Sequence, residues 1–277
     1  MDTLPAIAIL GAGSMGGAIL NGLVQPGTAV SGPVRVTNRS EAKAAALRSD
    51  HVISYSTEAE PNANLAAITG ARIVVVAVKP VMVPDLLREI SAALEPDAVV
   101  ISVAAGVAIA TMQSLLPASV AVLRAMPNTP ALVGRGVTGL AAGSRASFSD
   151  IAMAHALFAT VGVVLEVPES KIDEVSAISG SGPAYVFYLI EQLTNTAVGL
   201  GFTAEQASLM VEGTFRGASE LLAGSDATPQ ELRRRVTSPH GTTERAIAEM
   251  EKAELGLMFD RAAASAIARA KEIAAGA

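Results

Sequence analysis

Residues 6–24 read AIAILGAGSMGGAILNGLV, and this stretch decides the fold. It opens on a continuous apolar run, Ala6–Leu10, of the kind that forms a strand buried on both faces. It closes on Met15–Val24, which reads as a helix. Between them lies Gly11-Ala12-Gly13-Ser14-Met15-Gly16, a G-x-G-x-x-G. The first glycine permits a tight turn, the second lets a pyrophosphate approach the backbone, and the third lets helix and strand pack closely. Free amides at the start of the helix then face the phosphates. Such a motif alone can be mere turn chemistry. Set between this strand and this helix, it points to dinucleotide binding.

The same alternation continues downstream. Strands are predicted at Val34–Thr37, Ile73–Val78, Val99–Val103 and Val120–Ala125, with helices near Ser40–Leu47, Val83–Leu94 and Val107–Leu115. Two further strands, Thr138–Ala141 and Val163–Val167, flank a helix around Ser149–Thr160. Strand and helix in turn predict an α/β Rossmann-type domain with a parallel sheet, over residues 1–167.

From Pro168 the strand signal disappears. Helices are predicted at Lys171–Ile178, Pro183–Leu200, Ala204–Ala223, Pro229–Val236, Thr243–Glu251 and Glu254–Ala274. Thr203 with Gln206 makes a capping box, and Pro229 suits a first helical turn. Residues 168–277 are therefore expected to form an all-α domain whose long, small-residue helices suit dimerisation.

Composition limits the alternatives. The 277 residues are 51% hydrophobic and 17% charged, which excludes a disordered chain. A net charge of −6 argues against nucleic-acid binding, which needs a basic stripe. The triple Arg233-Arg234-Arg235 reads as a solvated helix face. The uncharged stretch Ala98–Leu123 is long enough to span a bilayer, but Gly106, Gln113 and Pro117 break it into strand, turn, helix and strand. With no basic leader before the first strand and no cysteine, a cytoplasmic location is expected. Three scattered histidines offer no metal-ligand spacing.

Dinucleotide sites that take NAD place a carboxylate after the second strand, on the ribose hydroxyls. Here that position reads Asn38-Arg39-Ser40. No carboxylate repels a 2′-phosphate and two side chains can bind one, so NADP is favoured and NAD remains possible. Asn38 and Ser40 also suit simple helix caps. Ala77, Val78, Lys79 and Pro80, then Ala104 and Ala105, lie where strand ends meet a cofactor cleft. Asn128, between two prolines, fits either an Asx turn or a nicotinamide-pocket contact.

A second constellation lies in the helical half. Ser179-Gly180-Ser181-Gly182-Pro183 allows close approach of backbone to a helix or a ligand. Val236-Thr237-Ser238-Pro239-His240-Gly241-Thr242-Thr243 runs into a helix N-terminus, a ready site for an anion. The plainer reading makes Thr242 or Thr243 only an N-cap. On these residues alone the chain reads as a nicotinamide-dependent redox enzyme acting on a small anion.

Taken in order, GAGSMGGAI from Gly11, VVAVKP ending at Pro80, ISVAAGV from Ile101, RAMPNTPALV from Arg124, SGSGPAYVF from Ser179 and VTSPHGTT from Val236 resemble the pyrroline-5-carboxylate reductase family nearly end to end. The resemblance implies reduction of 1-pyrroline-5-carboxylate to L-proline by NAD(P)H, the last step of proline biosynthesis. It also implies a homodimer interleaved through the helical domain, and a decamer built of five dimers. Its substrate carboxylate site falls on Ser238, Gly241 and Thr242, and the hydroxyl that bonds the ring nitrogen falls on Thr243. Ser238 and Thr243 are thus the catalytic candidates, and Asp226 matches an acidic residue upstream of the loop. Asn64 matches an adenosine-ribose contact. One departure is His240, where the family usually has glycine. A β-hydroxyacid dehydrogenase is disfavoured, because the helix from Pro183 lacks the lysine such enzymes place there.

Overall fold

The opening apolar run forms β1 (Ile7–Leu10), all four residues buried, and the glycine turn leads straight into α1 (Ser14–Leu23). This computed structural model describes residues 3–274. The alternation goes on through β2 (Val34–Asn38), α2 (Glu41–Leu47), β3 (Val52–Ser56) and α3 (Ala63–Ile68). Next come β4 (Ile73–Val76), α4 (Val83–Ile90), β5 (Val99–Ser102), α5 (Ile109–Ser114) and β6 (Ala121–Met126). β7 (Gly136–Ala142), α6 (Phe148–Ala159) and β8 (Gly162–Glu166) follow.

The eight strands form one sheet in the order β3-β2-β1-β4-β5-β6-β7-β8. Because the chain adds strands first on one side of β1 and then on the other, a crevice opens between β1 and β4 at the carboxyl ends of the strands. Side chains alternate across the sheet, so each strand serves two cores. Ile7 and Ile9 pack with Ile19, Leu157 and Phe158 on one face. Ala8 and Leu10 pack with Val74, Val76, Leu87 and Met112 on the other. Each fully buried aliphatic side chain of this kind contributes roughly 1.5–3 kcal/mol.

The sheet departs from the expected parallel arrangement at one place. β7 runs antiparallel to β6, while β8 is again parallel to β7. The segment Pro127–Arg135 is too short for the crossover of about a dozen residues that a parallel return requires. The structure also adds β3 and α3, which hydrophobic runs do not reveal. In β3 the buried positions are Val52, Ser54 and Ser56, while Ile53 faces outward, so the apolar pattern points the wrong way.

The remaining helices are α7 (Ile172–Val175), α8 (Gly182–Gly199), α9 (Ala204–Ala223), α10 (Pro229–Arg235), α11 (Thr242–Lys252) and α12 (Leu255–Ala274). Residues 3–181 and 266–274 form one compact unit, and Gly182–Ser265 form a second. The helix expected at Lys171–Ile178 is found as α7 between a 3-10 turn (Glu169–Lys171) and a π-helical turn (Ser176–Gly180); it groups with the sheet, and Ile172 belongs to the sheet's core. In the second unit, Ala197 of α8 and Ala207 and Val211 of α9 are buried. The Thr203–Gln206 capping box is formed, and Thr228 caps α10 with Pro229 in its first turn. Arg234 and Arg235 both hydrogen-bond Glu231, which holds its carboxyl down to about 2. Among the described residues, no helix is long and apolar enough to cross a membrane.

Candidate active site

Three glycines of the first turn divide their work as the motif requires. Gly11 has φ +95°, and a Cβ there would meet the Ala77 carbonyl oxygen and the Val78 side chain at 2.9 Å. At Gly16 an added Cβ would overlap the Gly11 carbonyl oxygen, so helix and strand pack backbone to backbone. Gly13 is the N-cap of α1, makes no side-chain cap, and has nothing within 4 Å of its Cβ position. A turn closed on both flanks and open at its middle glycine has the shape that a pyrophosphate would fit. β2 braces it: the Thr37 carbonyl oxygen accepts from Ala12 N–H at 2.8 Å, and Thr37 Oγ1 accepts from Gly11 N–H at 3.1 Å.

The next strand end carries Asn38, Arg39 and Ser40. Asn38 is buried, and its Nδ2 has no hydrogen-bond partner among the described residues. Ser40 occupies the N-cap of α2, but its side chain makes no capping bond, so simple helix capping does not account for it. The Arg39 backbone is fixed: its carbonyl oxygen accepts from Glu58 N–H and from Ser56 Oγ–H, both at 3.1 Å. Its guanidinium is exposed and, among the described residues, pairs with the Glu58 carboxylate at 3.4 Å. An orphaned amide, an unengaged hydroxyl and an accessible guanidinium form a donor set suited to a phosphate. Glu58 is a neighbour that the sequence alone does not place there.

The other cofactor-side candidates are spread along the same strand ends. Ala77 N–H donates to the Leu10 carbonyl oxygen at 2.8 Å, tying the β4 end to β1. Val78 is half-buried, Lys79 is exposed, and Pro80 starts a short 3-10 turn. Ala104 is buried and Ala105 exposed beyond β5. Asn64 lies in α3, where its Nδ2 donates to the Glu89 carboxylate at 3.1 Å. Asn128 is buried and engaged at both ends. Its Nδ2 donates to the Ser179 carbonyl oxygen at 2.9 Å, and its Oδ1 accepts from Val137 N–H at 2.8 Å. That geometry gives Asn128 a bracing role at the β6 end.

One charged group at that end is not legible as a site in the sequence. Arg124, in β6, is buried and lies 3.3 Å from Asp173 and 3.6 Å from Glu169. It borders a cavity of about 250 Å³ together with Gly106, Asp173, Ser176 and Ser181. The only hint in the sequence is a lone arginine inside an apolar run.

In the second unit the loop Ser238–Thr243 turns sharply. Gly241 N–H donates to the Ser238 carbonyl oxygen at 3.0 Å, and a Cβ at Gly241 would meet that oxygen at 2.9 Å. Gly241 is the N-cap of α11 and supplies no side-chain cap, so neither Thr242 nor Thr243 is the capping residue. Thr243 is half-buried, Ser238 is exposed, and Asp226 is exposed in the turn before α10. His240 has φ 59°, the left-handed conformation that a glycine adopts freely. Among the described residues no cluster of three metal-ligating side chains is present.

A doubly wound sheet with this three-glycine turn at its switch point, followed by a helical unit, defines the class of Rossmann-type oxidoreductases. Comparison with known proteins narrows the class. A family model described as NADP oxidoreductase, coenzyme F420-dependent, matches residues 6–106, and one described as pyrroline-5-carboxylate reductase dimerisation matches residues 169–273. Pyrroline-5-carboxylate reductase of Corynebacterium melassecola is 37% identical over 98% of this chain and 99% of its own. The solved pyrroline-5-carboxylate reductase of Coxiella burnetii superposes with a TM-score of 0.89 at 35% identity, covering 98% of both chains. Plasmodium falciparum pyrroline carboxylate reductase, solved with NADP bound, gives a TM-score of 0.81 at 26% identity over 97% of this chain and 98% of its own. The chain belongs to the pyrroline-5-carboxylate reductase family.

Proposed function

We propose that this chain reduces 1-pyrroline-5-carboxylate to L-proline, with NADPH in preference to NADH. The observation that carries the substrate side is the start of α11, whose N-cap Gly241 leaves the first-turn amides without a side-chain partner. Those amides and the helix dipole favour an anion by roughly 0.3–1 kcal/mol when exposed, and by more when partly buried.

On this reading Ser238, Gly241 and Thr242 hold the substrate carboxylate, and the Thr243 hydroxyl bonds the ring nitrogen. When bound, the reduced nicotinamide supplies the hydride that C5 of the cyclic imine accepts. As C5 gains that hydride, the C=N π electrons pass to nitrogen, which takes up a proton. A hydroxyl serves there because it can donate to, or accept from, the nitrogen as its electron density changes. Asp226 is assigned to the substrate side on the family resemblance.

The Gly11–Gly16 turn, with Ala12, Ser14 and Met15, fits a pyrophosphate, and Asn38, Arg39 and Ser40 fit a 2′-phosphate. Asn64 is assigned to the adenosine ribose. Ala77, Val78, Lys79, Pro80, Ala104 and Ala105 are assigned along the cofactor path, with Asn128 bracing its end. Residues 1–167 serve as the dinucleotide-binding domain and 168–277 as the substrate and dimerisation domain. The homodimer is supported by the family match over 169–273 and by exposed Phe187, Tyr188, Leu200 and Leu209. Assembly of five such dimers and a cytoplasmic location complete the proposal. The test is Thr243→Ala: kcat with the imine should fall by at least tenfold while NADPH affinity stays within twofold. Equal loss of both refutes the assignment of Thr243.

A further inference from the structure

Arg124 has no part in the function proposed above, yet it is a buried charge at the carboxyl end of the sheet. Its side chain is only 9% exposed, and the guanidinium faces two carboxylates, Asp173 of α7 and Glu169 just before it. Glu169 in turn accepts the N–H of Ile109 at 2.7 Å, so the cluster ties β6, α7 and the start of α5 together. Burying a guanidinium is costly even beside two partly exposed carboxylates, and a hydrophobic residue in such a place is often no less stabilising. A buried charge cluster is therefore weak evidence of a stability role.

Its neighbours point to a different role. Directly after α7 the chain makes a π-helical turn, Ser176–Gly180, closed by Ser181 N–H donating to the Ser176 carbonyl oxygen at 2.8 Å. Such turns are rare and occur frequently at functional sites. Arg124 fixes the turn's entry through Asp173, and Asn128 fixes its exit through the Ser179 carbonyl oxygen. Met126, between them in sequence, lies under Gly180, where a Cβ would come within 3.1 Å of Met126 Cε. Three residues from one strand end thus set the position of the turn. Arg124, Met126, Asp173, Ser176 and Ser181 line the cavity of about 250 Å³, with Gly106 from the loop after β5 on its rim. Ligands of open α/β sheets bind beyond the carboxyl ends of the strands, which is where this cavity lies.

We propose that Arg124 is a positioning residue: through Asp173 it locks the Ser176–Gly180 turn against the ends of β5 and β6, and so fixes the wall of a cavity that receives the reactive end of the cofactor. This inference rests on the reductase reading above. The guanidinium turns one nitrogen to Asp173 and the other toward Glu169, a divergence that a single ammonium does not reproduce, so lysine is a poor substitute.

The experiment compares wild type with Arg124→Lys, Asp173→Asn and the double variant, using NADPH and 1-pyrroline-5-carboxylate, and follows amide exchange at residues 176–181. In both single variants kcat should fall tenfold or more, since small misplacements at a reacting centre cost up to about a hundredfold. KM for NADPH should stay within threefold, exchange at 176–181 should rise at least tenfold, and the double variant should be no worse than the singles. An ion pair that serves stability alone would lower Tm and leave kcat within twofold, and that result overturns the proposal. Unchanged exchange overturns it too, whatever the rates do. Absence of imine reduction by the wild-type protein refutes the reductase reading instead, and the exchange data then still decide whether Arg124 locks the turn.

Discussion

The Glu244 carboxylate accepts a hydrogen bond from the backbone N–H of His240, four residues earlier, at 2.9 Å. In a capping box the acidic residue at this place in the first turn reaches back to the N-cap itself. Here the N-cap is Gly241, and the bond skips past it to a residue held at φ 59°. Glu244 thereby anchors the left-handed turn on which the Ser238–Thr243 loop depends.

His240→Gly tests how much of that turn is strain. A left-handed conformation costs a non-glycine residue roughly 1–2 kcal/mol, partly offset by the greater unfolded freedom of glycine. The variant should gain up to about 1 kcal/mol, a rise in Tm of no more than a few degrees. Its kcat/KM for the imine should stay within threefold. A tenfold loss would give the imidazole a direct role.

Gly13 and Gly16 should fail in different ways. Gly13→Ala adds a Cβ that meets nothing within 4 Å of the protein, so Tm should hold while NADPH affinity drops tenfold or more. Gly16→Ala forces a Cβ into the Gly11 carbonyl, so the fold itself should lose about 1–3 kcal/mol. Thermal melts with and without NADPH separate the two, and equal loss of Tm in both variants would refute this division of roles.

Arg39 faces solvent, with the Glu58 carboxylate beside it at 3.4 Å. Arg39→Asp should lower the NADPH-to-NADH ratio of kcat/KM by about thirtyfold, by repelling the 2′-phosphate and accepting from ribose hydroxyls. Glu58→Gln should raise NADPH affinity by roughly twofold to fivefold, the small effect expected when an exposed ion pair is removed. Unaltered ratios in Arg39→Asp would place the 2′-phosphate elsewhere.

Asp150 links α6 to the start of β4. Its carboxylate meets Arg72 at 2.7 Å and also accepts from the Ser147 N–H and hydroxyl. Burial pushes this carboxyl up, but the Ser147 N–H, the Arg72 guanidinium and the Ser147 hydroxyl together outweigh it and hold it below its usual range. A depressed folded pKa means that the stabilisation is present above the unfolded value of about 3.9 and is lost as pH falls through the folded one. Asp150→Asn should cost about 2–4 kcal/mol at pH 7 by leaving Arg72 underpaired. Denaturant melts should show that gap constant above about pH 5 and shrinking below pH 4. A gap independent of pH down to acid unfolding would contradict the argument.

The sequence made the dinucleotide half legible wherever burial and pattern agree. Ala6–Leu10 with its glycine turn reads directly, because strands covered on both faces are apolar throughout and glycine spacing is geometric. β3 does not, since its serines face inward and Ile53 outward. The reversal of β7 is hidden because strand direction depends on the length and path of the connection, not on the strand's residues. The left-handed turn at residue 240 is foreseeable from a histidine standing where glycine is usual, and the structure gives it φ 59°. The ties of Arg124 are not foreseeable. Its partners Glu169 and Asp173 are distant in sequence, and only the packing of α7 on the sheet brings them to it.

The most direct measurement is the initial rate of cofactor oxidation by the purified protein with 1-pyrroline-5-carboxylate, run in parallel with NADPH and NADH. Proline should form in an amount matched to the cofactor consumed, with the larger kcat/KM for NADPH. A folded protein that binds NADPH but reduces the imine with neither cofactor would contradict the reductase reading.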